Sequence, residues 1–365
     1  MSGVHPCPIC QRYDYRPLHV VRGTAIVCCR GCGLATWAWP TFEPREFYDA
    51  SYWRSADIGK GYADYFALAD ALRATNAARA RLLRRLLARE VRSIAGAAGS
   101  LLEARGSFSA TPLPPGKDLG EGRALRCGRL VETPAPMDPG SEMIARSPAT
   151  PQVEEHSRRL ETSATVREQA FRVLDVGCGP GYFLQAAVGA GFAARGVEAS
   201  EFAARFAREQ LGLEVRHGLA RREDLGDEPC DVVTMWDVIE HVPDPRASLS
   251  AAAAVTRPGG LLALSTGDRS SLVARLSGRH WHLYNLPEHL WFFTSSGLRR
   301  LLREVGFAPI RVAYEVCWYP LRYLVERLEA SLRLGRGLSG RLGSLGRAAL
   351  PVTLGDIVTI VARRA

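Results

Sequence analysis

The chain has 365 residues, 47% of them hydrophobic and 23% charged, and a formal charge of +9. This composition is ordinary for a soluble globular protein and long enough for more than one domain. No apolar run is long enough for a membrane span, and the opening MSGVHPCPIC lacks the apolar stretch of a secretory signal, so a cytoplasmic location is expected. Only Lys60 and Lys117 are lysines. The remaining basic residues are arginines scattered along an alanine-rich chain, which reads as compositional bias and not as the clustered footprint of a nucleic-acid binder.

Five of the nine cysteines fall within the first 32 residues. Cys7-Pro-Ile-Cys10 and Cys29-Arg-Gly-Cys32 form two Cys-x2-Cys pairs at the spacing of a four-cysteine zinc ribbon, with Cys28 as an alternative to Cys29. Two thiolates two residues apart can bend round one ion, and a second pair completes a tetrahedron. Such a closed site leaves no position for water, so its role is structural. Between the pairs, LHVVRGTAIV predicts a short hairpin turning at Arg22-Gly23. The ribbon is assigned residues 1–45, followed by a helical linker or lid over 46–90. The aromatics of FYDASYWRSADIGKGYADYF (residues 47–66) would pack across the mouth of a site. Residues 91–168 are rich in Pro, Gly, Ser and Thr and lack periodicity, so a disordered insertion is expected there.

A core domain is expected over 169–365. FRVLDVGCGPGY begins with a buried strand, Val173 to Val176, interrupted only by Asp175, and continues into Gly177, Gly179 and Gly181 before a helical FLQAAVGAG. A strand, glycine turn and helix put backbone amides at the strand's carboxyl end, where open α/β sheets bind ligands. A dinucleotide fold wants Gly-x-Gly-x-x-Gly. Here Tyr182 stands at the third position, Pro180 removes an amide, and Asp175 would repel a pyrophosphate. Asp175 suits instead the ammonium of S-adenosylmethionine (SAM). After the next strand, Ala193 to Val197, Glu198 can accept hydrogen bonds from ribose hydroxyls. An NAD-dependent oxidoreductase is therefore disfavoured.

The pattern repeats: helix EFAARFAREQLG, strand LEVRHG, strand DVVTM, a helix over 244–256, the turn RPGG and the strand LLALST. Alternating strands and helices mean a doubly wound parallel sheet. VLDVGCGPG, GVEAS, DVVTMWDVIEHVPDP and RPGGLLALST, in that order, resemble the motifs of class I SAM-dependent methyltransferases. The first half of WDVIEHVPDP also resembles ubiquinone-biosynthesis O-methyltransferases, and the preceding ribbon resembles bacterial methyltransferases that include sugar C-methyltransferases. The resemblance implies a seven-stranded Rossmann-like sheet whose last strand is antiparallel. It implies that Asp175, Gly177, Gly179 and Gly181 line the methionine end of SAM, that Glu198 holds the ribose, and that Trp236 and Asp237 lie near the cofactor. Glu223 and Asp224 are candidates for the adenine.

Strands six and seven are expected at Pro309 to Val316 and Asp356 to Ala362. Between them YPLRYLVERLEASLRL (319–334) reads as an amphipathic helix, either packed or dimerising, or touching a membrane surface or lipid-linked substrate. HWHLYNLPEHLWFFT (280–294) follows strand five and leaves the sheet at its carboxyl edge, so it is expected in the substrate pocket. His289 is the first candidate for general base and His241 the second, ahead of His280 and His282, since an imidazole titrates near neutrality. The expected activity is methyl transfer from SAM to a small-molecule acceptor such as a sugar or quinone-like ring. The alternative is a zinc-ribbon SAM-binding module without turnover.

Overall fold

The computed structural model describes residues 6–37, 47–53, 65–66, 69–106, 170–332 and 337–365. Met1–Leu87 and Gln169–Ala365 form one compact unit and Ala88–Glu168 another. The ribbon and the core therefore share a unit, and the expected boundary at residue 45 does not divide their packing.

Strands β1 (Tyr15–Val21) and β2 (Thr24–Cys29) make the expected hairpin. Arg22 and Gly23, both at positive φ (49° and 81°), form the two-residue turn whose twist matches paired strands. Strand β3 (Ala35–Trp37) adds to β2. Helix α1 spans Ala69–Gly106 and so runs through residues 91–106, which the sequence reading had placed in the disordered insertion. No proline interrupts the helix, and its Ala, Leu, Arg and Glu content favours helix strongly enough to carry it onward. Residues 107–168 of that insertion, and residues 54–64 of the aromatic stretch, lie outside the described residues.

The core alternates β4 (Arg172–Val176), α2 (Tyr182–Gly189), β5 (Ala193–Glu198), α3 (Glu201–Leu211), β6 (Glu214–His217), β7 (Cys230–Trp236), α4 (Pro245–Val255) and β8 (Thr256–Gly267). A two-residue strand β9 (Trp291–Phe292) precedes α5 (Ser295–Glu304) and β10 (Phe307–Tyr314). An excursion of β11 (Cys317–Pro320), α6 (Leu321–Leu332) and β12 (Ala349–Val352) follows, and β13 (Ile357–Arg364) ends the chain. The sequence reading started the α6 helix at Tyr319. Tyr319 and Pro320 instead pair with β12, and the helix begins after the proline.

The main sheet has the order β10-β13-β8-β7-β4-β5-β6. The strands from β8 to β6 are parallel, and β13 is antiparallel to both β8 and β10, as expected. Val173, Leu174, Val232, Val233 and the run Leu261 to Leu264 are buried, because helices cover both faces of a parallel sheet. Strand order reverses between β4 and β7, and the crevice beyond their carboxyl ends is where such folds place ligands. A second sheet, β1-β2-β3-β9, was not foreseen. Part of the aromatic segment 280–294 is the fourth strand of the ribbon's own sheet. No helix among the described residues is long and apolar enough to cross a membrane.

Candidate functional site

The turn after β4 needs glycine at two points. Gly177 sits at φ 70°, and a Cβ there would lie 2.5 Å from Val238 Cγ2; Gly181, at φ 91°, would press one to 2.6 Å from Leu213 Cδ1. The loop is braced from below by Glu198, which is buried at the tip of β5. Its Oε2 accepts from the Gly179 amide at 2.7 Å and its Oε1 from the Ser200 amide at 2.8 Å. Burial pushes this carboxyl up and the amides pull it back. Each oxygen keeps a lone pair, so the carboxylate can still accept from ligand hydroxyls. From above, the Trp53 ring stands 3.3 Å from where a Gly179 Cβ would be, and its Nε1 donates to Ser200 Oγ at 2.9 Å. Gly179 thus leaves a cradle that any larger residue would fill.

Asp175 is buried under the same loop and accepts from Thr234 Oγ1 at 2.6 Å. Burial raises its carboxyl to about 7, against the opposing pull of Thr234 and Arg79. At the end of β7, Asp237 has φ 54° and its Oδ1 accepts from Ser265 Oγ at 2.9 Å. Arg79 of α1 lies across this point. Its guanidinium stands 4.2 Å over the Trp236 ring, 3.8 Å from Asp237 and 2.6 Å from Glu315. Arg79 was missed by the sequence reading. The available signal was the α1 face on which buried Thr75, Asn76 and Arg79 give way to buried Ala80, Leu83 and Leu87. A helical stripe that turns from polar to apolar marks one end of the helix as facing a polar cavity.

The structure brings His241 and His289 together, with ring centroids 4.6 Å apart at 88°. His289 Nδ1 lies 2.9 Å from the Leu283 carbonyl, and His241 Nδ1 lies 2.9 Å from the Glu288 carbonyl and 2.8 Å from the Tyr48 hydroxyl. A carbonyl only accepts, so each Nδ1 carries the proton and each Nε2 keeps its lone pair. Burial lowers His241 to about 4 and holds His289 well below the usual imidazole range, so both rings are neutral at physiological pH. Buried Glu240 adjoins them; burial raises it to about 8, and its Oε2 has no hydrogen-bond partner among the described residues. The ligand atoms of Glu240, His241 and His289 lie within 4.8 Å of one another, a set that can pass a proton or ligate a divalent cation. His280 and His282 line the same cavity further out, with His282 3.6 Å from Asp356.

One cavity of about 1950 Å³ joins all of this. It runs from Gly177 and Gly179 past Asp237 to the histidine pair, and on to Tyr319, Tyr323 and Leu324 of the excursion. A pocket for one drug-sized ligand takes roughly 300–1,000 Å³, so there is room for a second molecule. The inner face of the helix expected over 319–334 therefore lines this cavity. Glu223 is on the cavity wall, whereas Asp224 turns to the Leu219 amide at 2.8 Å.

The sulfurs of Cys7, Cys10, Cys29 and Cys32 also lie within 4.8 Å of one another, at 3.3 Å for Cys7–Cys32 and 3.4 Å for Cys10–Cys29. Zn–S bonds of about 2.3 Å put tetrahedral sulfurs roughly 3.8 Å apart, so this donor set fits one zinc ion. Cys28 points away, towards the Gly33 carbonyl and Arg269. The residue following each second cysteine, Gln11 and Gly33, has positive φ (59° and 76°), which turns the chain back under the sulfurs.

Residues 135–312 match the family model described as a methyltransferase domain. Curated relatives include ubiquinone biosynthesis O-methyltransferases of Cereibacter sphaeroides, 35% identical over 161 residues (41% of this chain and 65% of that protein), and of Thiobacillus denitrificans, 35% identical over 147 residues (37% and 63%). The chain thus spans less than two thirds of the length of these relatives. Among solved structures, a magnesium protoporphyrin IX methyltransferase of Synechocystis with bound SAH aligns at 17% identity over 59% of this chain and 82% of that one, with a TM-score of 0.37. The family match spans the glycine loop, Glu198, His241 and His289, so it is over this stretch that the chain is similar to a methyltransferase domain.

Proposed function

We propose that the protein transfers a methyl group from SAM to a small-molecule acceptor held beside His241 and His289. The observation that carries this is the continuous cavity linking the Glu198-braced glycine loop to a pair of neutral imidazoles. The residues fit the cofactor: Gly179 leaves a cradle, Glu198 keeps lone pairs for ribose hydroxyls, and Asp175, with Trp236 and Asp237, supplies acidic and aromatic walls for the methionine end. When bound, SAM supplies an electrophilic methyl group. The protein's part is to hold the acceptor in line, exclude water with Tyr48, Trp53 and Tyr65, and take the acceptor's proton at a histidine Nε2. The names of the curated relatives favour an oxygen acceptor, and the apolar far end of the cavity favours one with a bulky apolar part. The four cysteines hold a structural zinc ion, and a cytoplasmic location is consistent with such an enzyme.

Calorimetric titration with SAM, followed by incubation of methyl-labelled SAM with a small-molecule extract, tests this reading. Binding and a labelled product are expected; absence of binding by the zinc-loaded protein rejects it.

Asp175→Asn separates binding from stability. The folded-state value near 7 lies above the unfolded value of about 3.9, so stability present below pH 4 is lost as pH rises towards 7. Asparagine carries no such loss. The variant's melting temperature relative to wild type is expected to rise between pH 5 and pH 8, by on the order of 5 °C. Its SAM affinity should fall about tenfold. A difference in melting temperature that does not change with pH would contradict the assignment.

A further inference from the structure

The segment carrying His289 is held from two sides. On the core side, the amides of Leu290 and Trp291 donate to the Glu240 carbonyl at 2.8 and 3.2 Å, and Trp291 Nε1 donates to the Val242 carbonyl at 2.9 Å. On the other side stands the ribbon. Strand β3 pairs antiparallel with β9, Ala35 opposite Phe292 and Thr36 opposite Trp291. Thr36 Oγ1 donates to the Leu290 carbonyl at 2.8 Å, and Trp37 Nε1 donates to the His289 carbonyl at 3.0 Å. The backbone of His289 and Leu290 thus gives its carbonyls to the ribbon, while the Leu290 amide goes to the turn that carries His241.

The ribbon is itself fixed to the core. Arg246 donates to the carbonyls of Pro8 and Ile9 at 2.8 and 2.7 Å, and Arg269 donates to the carbonyl of Gly33. Both arginines grip the cysteine knuckles, so β3 is a rigid edge against which the His289 segment is laid. By contrast, the glycine loop is braced by Glu198 and Trp53, and neither Thr36 nor Trp37 is among the residues lining the cavity.

We propose that Thr36 and Trp37 are positioning residues: through the carbonyls of Leu290 and His289, the ribbon sets where the His289 imidazole stands against His241. The acceptor step depends on this placement, and SAM binding does not. The inference rests on the reading that the histidine pair serves the acceptor. A ring displaced by about 1 Å costs roughly a hundredfold in rate, so two partly buried hydrogen bonds to the adjoining backbone are enough to matter.

The test uses Trp37→Phe, which removes the indole N–H and keeps an aromatic ring, and Thr36→Val, which removes the hydroxyl at constant shape. Thr36→Ser, which keeps the hydroxyl, is the rescue control. In the full-length, zinc-loaded protein the SAM dissociation constant should stay within about twofold of wild type for all three. The rate of labelling from methyl-labelled SAM, at saturating SAM and with an extract in which wild type labels a product, should fall about 10- to 100-fold in the first two and stay near wild type in Thr36→Ser. The His289 ring resonances of histidine-labelled protein should shift in the first two, because the ring moves relative to His241. Wild-type labelling with unmoved resonances in both variants overturns the proposal, and so does a parallel loss of SAM affinity, which would report general loss of structure. If wild type itself labels nothing, the functional reading fails, and the His289 resonances alone then decide the placement: a shift with intact SAM binding supports it, and no shift overturns it.

Discussion

Glu198→Ala is expected to raise the SAM dissociation constant by about a hundredfold or more and to lower the melting temperature by several degrees. Both carboxylate oxygens are engaged in the structure, one by the Gly179 amide and one by the Ser200 amide. Alanine leaves two buried donors without an acceptor, and each costs about 1–3 kcal/mol. Part of that cost falls on the glycine loop itself, which loses the contact that pins Gly179 at φ 53°. The remainder is the loss of the acceptor proposed for the ribose hydroxyls. Glu198→Gln should be intermediate, near tenfold: it keeps one oxygen, but its amide group faces a backbone donor and one bond is replaced by a repulsion. SAM affinity within threefold of wild type in Glu198→Ala would show that the ribose is held elsewhere.

The part of the site that this prediction addresses was legible in the sequence because its chemistry is local. A positive φ at Gly177, Gly179 and Gly181 is a backbone requirement that only glycine meets readily, so it leaves a direct trace. The placing of Asp175 and Glu198 at strand tips follows from the same short units, and helix-strand alternation makes the strands from β4 to β8 parallel. The cysteine pairs were legible for the same reason, except that adjacent Cys28 and Cys29 could be told apart only by where each sulfur points.

What could not be read is long-range. Ala35–Trp37 and Trp291–Phe292 are three- and two-residue strands, too short to show a period, and only the folded chain brings them side by side. The aromatic crowding of HWHLYNLPEHLWFFT looked like a pocket wall. It is both that and a strand of the ribbon sheet: Trp281, Tyr284 and Phe292 pack among Ile26, Ala35 and Trp37, while His289 faces His241. Tyr48 and Arg79 likewise reach the site from segments whose own sequence does not say what they face. The continuation of α1 through Gly106 was lost for another reason. Its helix-forming residues adjoin a Pro- and Gly-rich stretch, and the composition of the whole outweighed the propensity of the part.

Removing the proposed zinc ion from the four-cysteine cluster is expected to have the largest effect on stability. Zinc-loaded protein should contain about one zinc per chain, and Cys10→Ser, Cys29→Ser or Cys32→Ser should each lose it, whereas Cys28→Ser should retain it. Zinc binding to small four-ligand modules is worth on the order of 10–16 kcal/mol, and a two-stranded hairpin without support is marginal in water. This ribbon has support: Arg246 and Arg269 hold its knuckles, and β9 closes its sheet. The melting temperature should therefore fall by roughly 10 °C, short of complete unfolding. The hydrogen bonds that Thr36 and Trp37 make to the His289 segment depend on a fixed β3, so labelling by the metal-free protein should fall at least as far as in Trp37→Phe. SAM binding should persist, because the glycine loop is braced by Glu198 and Trp53 and not by the ribbon. A protein stripped by chelator that melts at the wild-type temperature and labels its acceptor at the wild-type rate would mean that the cysteines hold the ribbon together without an ion.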